Sequence, residues 1–168
     1  MEYFLVLPDR RISNSIKLPV TEKELLAKEI FVIKVNKLAD MNLTDIISIK
    51  FLFNTYFFLS EELEKVFRMY NQDFITIPTL IIDKHNYDLN KVYYIADIKA
   101  TENVVANKFR VAKDMLINEE LVIDKAIHKI HYEKQTFILA NRCVVESILR
   151  RYPIGIYFQE VKVVGREE

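Results

Sequence analysis

Residues 56–70 read YFFLSEELEKVFRMY, and the same plan returns at 136–152 as TFILANRCVVESILRRY. Each stretch is a short apolar strand, a capping residue, an amphipathic helix, and then arginine and tyrosine before another apolar run. In the first, Ser60 is placed to cap the orphan amides of a helix, with Glu61 and Glu62 in its positive first turn. Leu63, Val66, Phe67 and Tyr70 then recur at i, i+3, i+4 and i+7, which marks one buried helical face. In the second, Asn141 takes the capping position and Val144, Val145, Ile148, Leu149 and Tyr152 form a broad apolar stripe. Phe57 aligns with Phe137 and Leu59 with Leu139, an offset of 80 that grows to 81 or 82 in the helix, as one extra residue at the junction would produce. The endings match as Arg68 and Tyr70 with Arg150 and Tyr152. The chain therefore predicts two strand-helix-strand units, 56–82 and 136–164, with helix faces that build core.

Composition sets the bounds around those units. A chain of 168 residues, 51% of them hydrophobic, is the size of one domain and large enough to bury a sizeable core. Lysine plus arginine and aspartate plus glutamate both number 24, so no charge excess points to nucleic acid or to an anionic membrane. Local basic groups such as Lys108, Arg110 and Lys113, or Arg150-Arg151-Tyr152, sit among Asp114, Glu119, Glu120 and Glu146, and their fields largely cancel. Cys143 is the only cysteine and cannot close an internal disulfide. The start MEYFLVLPDRR has too short an apolar run for a signal peptide, and no stretch approaches a membrane span, which gives a cytoplasmic reading. The two glycines, Gly155 and Gly165, are too far apart for a phosphate-cradling loop.

The rest of the chain alternates between strand and helix signals. YFLVL (3–7) is a buried strand ending at Pro8, followed by a turn at Asp9-Arg10-Arg11. TEKELLAKE is a short helix with Thr21 as N-cap, and IFVIKV (30–35) is a strand. IISIKFLFNTYFFL reads as a hairpin about Asn54-Thr55. FITIPTLII is a strand in which Pro78 calls for an edge position or a bend. KHNYDLN is a polar loop, and KVYYIADI is a strand with Val92, Tyr94, Ala96 and Ile98 on one side. Val105, Phe109, Ala112 and Leu116 fall at helical spacing, predicting a helix over 101–117. LVID and IHKIHYE read as strands, and IGIYFQEVKVV closes as a strand that Gly155 enters through a turn or bulge. The sum is one α+β domain spanning 1–168, with a mixed, mostly antiparallel sheet and two or three helices packed on it.

Chemistry-bearing residues are sparse. Asp124, His128, His131 and Glu133 carry metal-ligating side chains, and a metal-dependent enzyme built on them is one reading. On a strand, however, residues 128 and 131 point to opposite faces and cannot reach one ion, so the segment reads as a surface hairpin and no metal or other cofactor is expected. Cys143 falls in the first turn of the second helix, where a dipole lowers a thiol pKa, but no base is placed beside it; it reads as a small, partly buried apolar side chain. No catalytic residue is assigned.

The elements LSEELEKVF, FITIP, VYYIADI and FILANRCVVESILRRYPIGIYF together resemble the immunity-protein domain found beside bacterial polymorphic toxins, over roughly residues 45–164. That resemblance implies a stoichiometric inhibitor that binds and occludes a cognate protein toxin, with no catalytic residues, and the balanced charge leaves neither nucleic acid nor membrane as an expected partner. Such binding needs a rigid surface of roughly 800 Å² with aromatic and arginine anchors near its centre. The exposed loops offer Arg10 and Arg11 after the first strand, and His85 and Tyr87 in KHNYDLN. A scaffold or regulatory subunit is the rival among binding proteins.

Overall fold

A computed structural model of the protein describes residues 1–13, 17–27, 29–51, 54–71, 74–98, 100–101, 104–107, 112–132 and 135–165. In chain order the elements are β1 (Tyr3–Pro8), α1 (Arg10–Ser13), α2 (Glu22–Leu26), β2 (Phe31–Val35), β3 (Ile46–Lys50), β4 (Thr55–Ser60), α3 (Glu61–Tyr70), β5 (Ile75–Asp83), β6 (Asn90–Asp97), β7 (Ala100–Thr101), β8 (Leu116–Asn118), β9 (Ile127–Tyr132), β10 (Gln135–Asn141), α4 (Arg142–Leu149) and β11 (Ile156–Val164), with 3₁₀ turns at Leu38–Asp40, Ala112–Asp114 and Glu119–Leu121. The fold is α+β in a single domain, and its strands divide between two curled mixed sheets. One is ordered β7-β9-β10-β1-β11-β8 and the other β2-β5-β6-β4-β3. Pairing is mostly antiparallel; β2 with β5, β8 with β11 and β7 with β9 are parallel.

The helices join the sheets through one core. Leu63, Val66 and Phe67 of α3 and Val144, Val145 and Ile148 of α4 cluster with Phe57, Leu59, Ala96 and Ile98 of one sheet and Val6, Ile127, Ile138 and Ala140 of the other. The opposite sheet faces have their own covers. Met115, Ile117 and Val122 close over Tyr3, Leu5, Phe137 and Leu139. Leu25 and Leu38, with partly buried Leu18 and Val20, close over Ile33, Phe58, Ile81 and Ile95. Each sheet is thus buried on both faces over its central strands, which is why these strands read as continuous apolar runs and not as strict alternations.

The quoted units are strand-helix-strand in the structure, β4-α3-β5 and β10-α4-β11, and both caps form: Leu63 N–H donates to Ser60 Oγ at 3.3 Å and Val144 N–H to Asn141 Oδ1 at 3.1 Å. Their alignment differs from the sequence expectation. The helix-facing strand residues are Phe57 and Leu59 in one unit and Ile138 and Ala140 in the other, while Phe137 and Leu139 face the far side. The offset is a uniform 81, through Ser60 and Asn141, Leu63 and Val144, and Phe67 and Ile148, with no extra residue at the junction. The endings do not correspond. Tyr70 donates to Cys143 O at 3.2 Å and shares a 2.7 Å hydrogen bond with Ser147 Oγ, tying the two helices, whereas Tyr152 is 89% exposed with φ +52°. Leu149 is also exposed, so the stripe on α4 is narrower than its sequence suggests.

Elsewhere the short-range signals match the structure. Thr21 caps α2 in a full capping box with Glu24, and the hairpin β3-β4 pairs Lys50 with Thr55. Pro78 lies one residue before the stretch of β5 that pairs with β2, so on that flank it is at an edge. The turn expected at Asp9-Arg10-Arg11 is the start of the helical turn α1, and 121–124 is a 3₁₀ end and turn instead of a strand. Val92 is exposed and Tyr94 half-buried, so only Ala96 and Ile98 of their side are core.

The helix expected over 101–117 is absent from the described residues of that range. Thr101 is in β7, Val105 bridges Ile117 antiparallel, and Leu116 is in β8; residues 102–103 and 108–111, with Phe109 among them, lie outside the described set. Alternation decides it: Met115 and Ile117 are fully buried against the sheet while Leu116 is half-buried.

Candidate functional site

Four separated segments enclose a cleft of about 680 Å³, within the range of ligand and anchor pockets. Leu38, Met41 and Leu43, from the connection between β2 and β3, supply one side; Leu89 and Lys91, at the start of β6, supply another. Ile12 of α1 and Ile154, between α4 and β11, complete the apolar lining, and Asn42 and Asn90 add amides. Lys91 is the titratable side chain in that lining. Apolar contact and a few directed hydrogen bonds are what such a surface offers.

Its frame is fixed by buried polar contacts. The Asp83 carboxylate accepts from Leu38 N–H at 2.8 Å on one oxygen and from His85 N–H at 2.8 Å and Asn86 N–H at 3.2 Å on the other, holding two sides of the cleft to each other. Those backbone donors, His85 first and then Leu38, keep its pKa below the usual carboxylate range. The Ile154 corner is fastened from both directions: Asp45 N–H donates to Ile154 O at 2.9 Å, Ile154 N–H to Asp45 Oδ2, and Asp9 N–H to Gly155 O at 2.8 Å. Gly155 has φ +70°, and a Cβ there would lie 2.2 Å from Thr44 Cγ2, so only glycine lets the corner close on Thr44. The buried Tyr93 hydroxyl donates to Thr44 O at 2.7 Å, and burial raises its pKa.

The residues proposed as partner anchors are near the cleft lining in sequence and are not among the residues that form it. Arg11 precedes the lining residue Ile12 and is exposed, held at 2.6 Å to Asp9 Oδ2. Arg10 begins α1, and its side chain lies outside what is described. Tyr87, 64% exposed, and exposed His85 sit in the loop that ends at Leu89. The sequence reading missed Asp83, the 38–43 segment and Ile154. Asp83 had a faint signal, a carboxylate ending an apolar run where a loop's amides need an acceptor.

The Asp124 to Glu133 segment is arranged differently. His128 is buried, with Nε2 donating to Val122 O at 3.1 Å and Lys125 O at 3.0 Å, which leaves Nδ1 to accept from Thr101 Oγ1 at 3.2 Å. His131 is exposed on the other face, its Nδ1 2.9 Å from Thr136 Oγ1. Glu133 lies outside the described residues. Among the described residues no three His, Cys, Asp or Glu side chains are grouped to hold a metal ion. Cys143, expected partly buried, is exposed.

The burial of His128 predicts a fold whose stability depends on pH. Burial lowers its pKa, outweighing the carbonyl acceptors and nearby Asp124; burial also lowers that of His131, followed by Lys129. The unfolded chain takes up these protons near its ordinary value of about 6.5 while the folded chain does so only at lower pH, so stability is full above that value and falls as pH drops. Melting temperature should decline between about pH 7.5 and 5.5, and less steeply in His128→Gln. Parallel declines in the two proteins would show that His128 does not carry the effect.

The molecule is thus an α+β protein with a preformed cleft joined to exposed loops. No protein-family model matches the chain, and no curated protein matches it either. Among the described residues no helix is long and apolar enough to cross a membrane.

Proposed function

We propose that the protein is an immunity factor that binds a cognate protein toxin inside the producing cell and neutralises it by stoichiometric occlusion. The observation that carries this reading is the cleft, in which an apolar lining, an amide and ammonium rim and a hydrogen-bonded frame meet, with Arg11, His85 and Tyr87 within a few residues of its lining in the chain. A preformed pocket takes a partner's anchor side chain with little ordering cost, and the loops around it exclude water from the contact. The apolar surface continues outward through Ile154 to Tyr152, both largely exposed. The balanced charge of 24 against 24 favours local complementarity over broad attraction as the source of affinity.

A titrated co-expression assay with a toxin encoded beside the gene tests the proposal, with thermal melts of each variant. Leu89→Asp and Ile154→Asp, both at partly exposed positions, should weaken binding by roughly thirty-fold or more, the effect of losing an anchor worth about 2 kcal/mol, without lowering the melt. Arg11→Ala should do less, because its pair with Asp9 is solvent-exposed. Asp124→Ala with His131→Ala should leave rescue intact; His128 is excluded from that set because its removal disturbs the core. Full rescue by both folded cleft variants would refute the assignment, and loss of rescue only in the Asp124 and His131 variant would favour a metal-dependent activity.

A further inference from the structure

We infer that the two sheets are copies of one construction, and that β1 fills in the second copy the slot that β6 fills in the first. Read from one edge, the sheets are β2-β5-β6-β4-β3 and β8-β11-β1-β10-β9, with β7 added outside β9. The sense of pairing agrees at every step, including the parallel pairs β2 with β5 and β8 with β11.

Connectivity alone constrains the order of strands but not their register, which is set residue by residue. Here the registers agree as well. In the hairpins, Ile46 pairs with Leu59 and Ile127 with Ala140; Lys50 pairs with Thr55 and His131 with Thr136, a constant shift of 81 across the ladder. The strand-to-helix corners agree: Ser60 N–H donates to Asp45 O at 2.8 Å and Asn141 N–H to Ala126 O at 2.9 Å, again 81 apart. The central strands agree too, since Ser60 lies opposite Tyr93 and Asn141 opposite Tyr3. Both tyrosines send a buried hydroxyl to a carbonyl in the segment that leads into the hairpin, Tyr93 to Thr44 O at 2.7 Å and Tyr3 to Val122 O at 2.5 Å, although these two acceptors are not at equivalent positions.

The copies part company at the joint. In the first, Lys84–Leu89 turns the chain from β5 into β6; in the second, the same place lies between the end of β11 and the start of β1, which are antiparallel neighbours without a connection. The pairing of Thr79 with Tyr93 and of Val161 with Tyr3 puts Val164 in the position of Ile82 and Met1 in that of Lys91. The loop that brings Leu89 to the cleft is therefore the piece with no counterpart between β11 and β1.

The equivalence is tested by a circular permutant of the full chain. Val164 is joined to Met1 through a copy of Asp83–Asn90 replacing residues 165–168, and the chain is opened between Ser13 and Lys17. A second permutant carries a Gly/Ser linker of the same length. The grafted loop brings its own Asp83 carboxylate to cap the His85 and Asn86 amides, so the first permutant should keep the parent's oligomeric state, match the native far-UV spectrum and melt within about 5 °C of the parent, above the Gly/Ser version. A grafted loop no better than Gly/Ser, or insolubility of both permutants, overturns the inference.

Discussion

Removal of residues 137–168 is expected to abolish cooperative folding and leave an insoluble product. The deletion takes most of β10, all of α4 and all of β11, and with them both neighbours of β1. Tyr3, Leu5 and Val6, each at 1% exposure or less, would then present an unpaired apolar strand to solvent. On the other side of the core, Phe57, Leu59, Ala96 and Ile98 would lose Val144, Val145 and Ile148. Solubility on expression and a circular-dichroism melt decide the matter: a soluble remnant with one sharp transition would show that the first sheet and α3 stand without the second, contrary to a core shared between the sheets.

Phe67→Ala should cost about 3 to 5 kcal/mol and Ile148→Ala about 2 to 5 kcal/mol, measured by denaturant unfolding. Both side chains are buried in the cluster that the two helices share with both sheets, where neighbours cannot easily move in to fill a void. Phe67 also meets Phe74 edge-on, with ring centroids 5.7 Å apart at 63°, and truncation to alanine removes that aromatic pairing as well. Against a total stability of roughly 5 to 15 kcal/mol, either loss would remove a large fraction of the folded-state margin. Unchanged midpoints in both variants would mean that these helix faces do not bear on the core.

What could be read from the sequence follows from how far apart interacting residues are. Caps at Thr21, Ser60 and Asn141 and the β3-β4 hairpin depend on neighbours within a few positions, and they were legible. The division into two sheets was not, because it rests on β1 pairing with β10 and β11 across most of the chain. The misalignment of the units has a specific cause: aromatic Phe137 looked like the partner of Phe57, yet it serves the outer face under Val104 and Met115, and the smaller Ile138 and Ala140 meet α4. Periodicity failed at 101–117 because the described parts of this stretch are short edge strands and a 3₁₀ turn, whose buried residues Val104, Met115 and Ile117 fall beside the positions that matched helical spacing. The cleft was half legible. Its loops were visible as polar and exposed, but its lining comes from four distant segments and its frame from Asp83 and Gly155, whose partners are identified only by the folded chain.

The central place of β1 has a consequence for biosynthesis. Tyr3 is synthesised well before its ladder partners Asn141 and Val161, from which most of the sequence separates it. At translation speeds of about 5 to 20 residues per second, the strand YFLVLP waits roughly 8 to 30 s before its slot exists. During that interval the nascent chain carries an apolar segment with no place to dock, a natural target for chaperones that attend the ribosome. Closing of this sheet is then a late event in which an early-made strand is inserted between two made much later.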